Sequence, residues 1–150
     1  MKDIKDELYK LCHQFIAQRI DTAETALEQA REASNDDTKS SAGDKFETTR
    51  EMMQQDISRN KRLLLDAKRN LQVLESLKDH LESNIVKNGS LVHTSEGVFY
   101  ISISAGHLIL NEKPYFAISA LSPIGQLLLG KKVKDKVSFN QKEYVIMEVS

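Results

Sequence analysis

Residues 46–85, FETTREMMQQDISRNKRLLLDAKRNLQVLESLKDHLESNI, repeat in fours and threes without a break. The repeating positions carry Phe46, Arg50, Met53, Ile57, Asn60, Leu64, Ala67, Leu71, Leu74, Lys78, Leu81 and Ile85, and nine of the twelve are apolar. Such spacing is the seam of a long helix packed on a partner helix. A partner precedes it. Ile4, Leu8, Leu11 and Phe15, then Ile16, Ile20, Ala23, Leu27 and Ala30, form a second stripe that steps sideways by one residue near Phe15. Between the stripes, residues 33–43 have the polar composition of a loop. Two long helices joined this way are expected to fold back as an antiparallel hairpin. At 1.5 Å per residue, a first arm of roughly 30 residues reaches about 45 Å.

The grammar changes after Lys87. Gly43 is the only glycine before that point and there is no proline, whereas the remainder holds both prolines and five glycines. Lys87-Asn88-Gly89-Ser90 has turn chemistry, so the expected domains are 1–87 and 88–150. Strand-like runs follow at Leu91–Thr94, Val98–Ile103, His107–Leu110, Tyr115–Ala120, Lys136–Phe139 and Tyr144–Val149. Phe99, Ile101 and Ile103 alternate with Tyr100 and Ser102, the pattern of a half-buried strand. Ser122 reads as a helix N-cap, Pro123 as the first helical residue and Gly130 as the closing glycine. The expected fold class is α+β: a helical hairpin followed by a small sheet carrying one short helix.

Composition narrows the function. The chain has 150 residues, a net charge of −1 and one cysteine, which excludes an internal disulfide framework and a multi-cysteine metal site. No run of about 18 apolar residues is present, and the first residues lack a signal peptide's apolar core. A cytoplasmic protein without membrane attachment is therefore expected. The near-zero net charge conceals a dipole. Residues 21–56 hold ten acids and four bases, or −6, while residues 57–87 carry +3. An acidic tip near 33–47 suits a positively charged channel or a hard divalent cation. Solvated faces of paired helices also carry such charge, so charge alone does not decide.

The stretch Ile118-Ser119-Ala120-Leu121-Ser122-Pro123-Ile124-Gly125-Gln126-Leu127-Leu128-Leu129-Gly130-Lys131-Lys132-Val133 resembles the C-terminal signature of the Gre-type transcript cleavage factors (GreA/GreB). Val133-Lys134-Asp135-Lys136-Val137 and Tyr144-Val145-Ile146 continue the likeness, and Gly89-Ser90-Leu91-Val92 is similar to the family's entry into that domain. The resemblance implies an FKBP-like sheet domain behind an antiparallel coiled coil. The Rnk-type relatives share the signature but have a short coiled coil. It further implies docking on RNA polymerase, with the coiled coil in the secondary channel and tip acids helping to hold a Mg²⁺ shared with the polymerase. Backtracked nascent RNA would then be cleaved by the polymerase itself, the chain having no catalytic centre of its own. Ser119, Ser122, Pro123, Gly125, Lys131 and Lys132 are the docking candidates. Asp36, Asp37, Asp44 and Glu47 are the acidic candidates, with Asp36, Asp37 or Asp44 as possible Mg²⁺ ligands.

The tip departs from the family pattern. Counting back from Phe46 and Arg50-Glu51, the signature Asp and Glu fall on Lys39 and Ala42. Asp44 and Glu47 also fit a helix-capping box. A channel-binding regulator without cleavage stimulation is therefore the alternative. An FKBP-like isomerase or chaperone is more remote, because aromatics make up only 6% of the chain. A monomer without sequence-specific DNA binding is expected, since no strongly basic face is evident. Cys12 reads as a small buried hydrophobe. Met52-Met53 sits at seam spacing, and the four histidines have no metal-ligand spacing to one another.

Overall fold

A computed structural model describes residues 2–37, 44–79 and 82–150. Two helices, α1 (Lys2–Asp37) and α2 (Asp44–Glu75), precede a six-stranded sheet. Its strands are β1 (Leu91–Thr94), β2 (Gly97–Ser102), β3 (Gly106–Leu110), β4 (Lys113–Ser119), β5 (Lys136–Phe139) and β6 (Lys142–Val149), with helix α3 (Pro123–Leu128) between β4 and β5. No helix among the described residues is long and apolar enough to cross a membrane. The chain divides into two compact units: one of Ile16–Leu71, the other of Met1–Phe15 together with Gln72–Ser150.

In the helical unit the seam of α2 is as its spacing predicts. From Glu51 to Glu75 only Met53, Ile57, Asn60, Leu64, Ala67, Leu71 and Leu74 are buried or half-buried, and every other residue is exposed. Ile16, Ala23 and Ala26 of α1 line one cleft with Asn60, Leu63 and Ala67 of α2, and with only six residues between Asp37 and Asp44 the two helices can lie side by side only in opposite directions. The ion pairs Arg59–Asp56 and Arg69–Asp66 are solvent-exposed and worth little to stability.

Two helix ends differ from expectation. α1 continues through Ala33 to Asp37, into the segment read as loop. Ser, Asn and Asp cost only tenths of a kcal/mol each inside a helix, too little to stop one already formed. The rest of that segment, residues 38–43, lies outside the described residues. At the other end α2 stops at Glu75, ten residues before Ile85. Leu77 N–H donates to the Leu74 carbonyl and Lys78 N–H to that of Glu75, tightening the chain into turns through Asp79. Ser76 Oγ donates to the Val73 carbonyl, a local bond that competes with the helical ladder. Leu77, not Lys78, is the residue buried there, because an ammonium cannot replace a hydrocarbon at the seam.

The sheet has the order β3-β4-β2-β1-β6-β5, and only β2 and β4 run parallel. The hairpins β3–β4 and β5–β6 turn on Asn111-Glu112 and Asn140-Gln141, all four with positive φ. This is the two-residue turn whose twist matches antiparallel strands, with Asn tolerating the left-handed region. On one face α3 closes a core of Val86, Val92, Phe99, Ile101, Leu128, Val137 and Ile146. The Phe99 ring lies 5.9 Å from Phe116 and 6.0 Å, edge-on, from Tyr144.

The opposite face corrects the half-buried reading of β2. Tyr100 and Ser102 are each 2% exposed, as hidden as Phe99 and Ile101. The first turns of α1 cover them: Cys12 Sγ lies 3.7 Å from Ser102 Oγ, and Leu8 and Cys12 are fully buried. Burial pushes the Cys12 thiol up to about 11 and the Tyr100 hydroxyl up as well.

Lys5 is a buried charge in this unit. Its Nζ is buried without a hydrogen-bond partner. Desolvation holds its ammonium below the ordinary 10.5, opposed by nearby Glu82, reinforced by Lys87 and opposed again by Asp6. The folded chain therefore binds fewer protons than the unfolded one between the lowered value and 10.5. Stability rises with pH through that window. Lys5→Met is expected to remove the slope and to raise stability at neutral pH by about 1–3 kcal/mol, the cost of an unmade buried donor. Urea midpoints of both chains at neutral and alkaline pH check this.

Candidate functional site

The segment from Ser119 to Gly130 owes its shape to a few backbone demands. β4 ends at Ser119, whose carbonyl accepts from both the N–H and the Oγ–H of Ser122, at 3.0 and 2.7 Å. Ser122 Oγ in turn accepts from Gly125 N–H at 3.1 Å, capping α3, and Pro123 takes the first helical position where no donor is needed. Ser119 Oγ accepts from Leu121 N–H at 3.0 Å. A Cβ on Gly125 would stand 2.2 Å from the Ser119 carbonyl oxygen and 3.2 Å from Ala120 Cα. Glycine is there because the helix rides directly on the backbone of the turn. Gly130, at φ +81°, ends the helix, and its N–H donates to the Val86 carbonyl while Val86 N–H donates to that of Lys131.

Ser119, Ser122, Pro123 and Gly125 thus form one turn, and each has a structural duty within it. Ser122→Ala is expected to cost about 1 kcal/mol through the lost cap, read as a lower urea midpoint. What this turn presents outward is Leu121, 82% exposed, the most exposed of the large apolar side chains among the described residues. Leu121 carries no periodic signal in the sequence. Its signal is a leucine between two turn serines, outside any helical or strand period.

Lys131 and Lys132 lie just beyond the helix. Lys131 is half-buried and Lys132 exposed. Asp135 shapes the following turn: its carboxylate accepts from Lys132 N–H at 2.9 Å, and its own N–H donates to the Lys132 carbonyl at 3.0 Å. Lys134 follows with φ +80° and an exposed side chain, so the basic cluster sits on a rigid turn at the protein surface.

The acidic candidates occupy helix ends. Asp36 and Asp37 are the last two residues of α1; Asp44 opens α2, and Glu47 lies in its first turn. Six residues span at most roughly 20 Å, so the two ends share one end of the helical pair. The last turn of α1 carries no basic residue. A helix C-terminus has partial negative charge, and Asp36 and Asp37 stand where the dipole opposes them. At the α2 N-terminus the same dipole favours Asp44 and Glu47. Lys39 and Ala42 lie outside the described residues. Among the described residues, no three His, Cys, Asp or Glu side chains are grouped to hold a metal ion. No protein-family model matches the chain, and a search of curated proteins finds no match.

Proposed function

We propose that this chain is a cytoplasmic transcription elongation factor of the Gre type. It binds RNA polymerase through the secondary channel and stimulates cleavage of backtracked RNA by the polymerase active site. The observation that carries this reading is a conjunction. A strand, turn and short helix at Ile118–Gly130, bearing the family-like signature, stand in one chain with a helical pair whose joined ends hold Asp36, Asp37, Asp44 and Glu47. The helical pair is then an antiparallel coiled coil and the sheet an FKBP-like domain.

On this reading the sheet unit docks at the channel rim through the surface around Leu121, Lys131 and Lys132, and the acidic end enters the channel. Asp36 and Asp37, at the C-terminal end of α1, oppose their own helix dipole. Near a divalent cation that cost becomes a gain, because hard cations take carboxylate oxygens. The Mg²⁺ would be shared with the polymerase. The factor supplies ligands and orientation, and the polymerase supplies the reacting centre.

Lys39 and Ala42, at the positions of the family's tip carboxylates, favour a second reading: a channel-occupying regulator that binds without stimulating cleavage. Both readings require polymerase binding. Core RNA polymerase at low salt is expected to retain the chain, with weaker retention of Leu121→Asp, a substitution at an 82% exposed site that spares the fold. A chain that does not bind core polymerase overturns both.

A further inference from the structure

The two edges of the sheet are unlike. The β5 edge is four residues long, carries Lys136 paired with Glu143 at 3.7 Å, and follows Lys131, Lys132 and Lys134. Short, lysine-bearing edges resist pairing with further strands. The β3 edge has no such protection. No Asp, Glu, Lys or Arg occurs between Glu96 and Glu112, and β3 itself contains no proline and runs in unbroken register with β4 from Gly106 to Leu110. His107 and Ile109 are exposed, Ile109 by 63%. The two-residue turn makes Leu110 and Lys113 the hydrogen-bonded closing pair, so Ile109 and Pro114 form the next, non-hydrogen-bonded pair and the N–H and C=O of Ile109 face the open edge.

We propose that β3 pairs antiparallel with β3 of a second copy of this chain, making one sheet continuous across a two-fold axis near Leu108. Backbone groups at a strand edge call for another strand. Self-pairing sets His107 opposite Ile109 of the second copy and brings no like charges together, because the segment has none. The lysine-guarded β5 edge stops the assembly at two, giving a closed dimer and not a fibre. Five residues a side bury well under the ~1,200 Å² of a stable interface. The pairing is therefore weak and reversible, and the dilute chain is a monomer.

Sedimentation from tens of micromolar to about 1 mM tests this. Reversible dimerisation is expected, with concentration-dependent protection of the edge-facing amides of His107 and Ile109. Ile109→Lys should weaken it about tenfold, since the two-fold axis counts the change twice. Met147→Lys, at an equally exposed residue of interior strand β6, should leave it unchanged. A chain that stays monomeric at about 1 mM overturns the proposal. So does a dimer indifferent to Ile109→Lys or equally weakened by Met147→Lys.

Discussion

Replacing Gly125 by alanine is expected to unseat α3 from the sheet. The added methyl would stand 2.2 Å from the Ser119 carbonyl oxygen, far inside van der Waals contact. That oxygen cannot retreat cheaply, because it accepts from Ser122 N–H and Ser122 Oγ–H together. The helix would have to lift, and Leu128, fully buried in the core beneath it, would lift with it. The expected loss is about 3 kcal/mol or more, at the upper end of overpacking costs. Gly130→Ala provides the scale. Open space surrounds that position, so only the φ of +81° is strained, at about 1–2 kcal/mol. All four tyrosines (Tyr9, Tyr100, Tyr115 and Tyr144) belong to the unit that contains the sheet. Urea unfolding followed by tyrosine fluorescence therefore reads this unit. A Gly125→Ala midpoint no lower than that of Gly130→Ala would show the turn to be freer than its hydrogen bonds imply.

Asp36→Asn with Asp37→Asn is expected to reduce RNA cleavage in a stalled, backtracked polymerase complex to the level without the factor, while binding to polymerase persists. The double change removes two carboxylates and leaves side chains of nearly the same shape. It should not weaken the fold. Taking negative charge from a helix C-terminus relieves an unfavourable dipole interaction of about 0.3–1 kcal/mol per residue. Lost stimulation with an unchanged or raised melting temperature would therefore report on the acids themselves. Stimulation that survives moves the metal-holding role to Asp44 or Glu47. Binding without stimulation by the unaltered chain selects the channel-occupying regulator.

Much of this architecture is legible in the sequence because it depends on local period. Each of the seven α2 positions from Met53 to Leu74 that the four-three spacing marks is turned inward. All six strand runs are strands, Ser122 caps α3 through its side chain, and Gly130 ends it at a positive φ. What period does not carry is where a second element lands. Tyr100 and Ser102 alternate as a solvated face would, yet α1 lies over them, a fact set by contacts some ninety residues apart in sequence. Lys5 is hidden by tertiary placement despite its charge. The end of α2 at Glu75 turns on one serine bonding back to its own helix and on Leu77 replacing Lys78, which an averaged stripe conceals. For the candidate site, the signature turn is readable as a turn, and its residues prove to be committed to backbone geometry. Leu121, the side chain it displays, is visible only once the turn is built.

Cross-linking would show where the acidic end of the helical pair lies in a complex with RNA polymerase. A photoreactive side chain at Glu51, exposed on α2 near that end, would be irradiated in complex with core RNA polymerase. Cross-links to polymerase segments beside its catalytic Mg²⁺ are expected. Cross-links confined to the outer surface of the polymerase, or none from a chain that is bound, would contradict it.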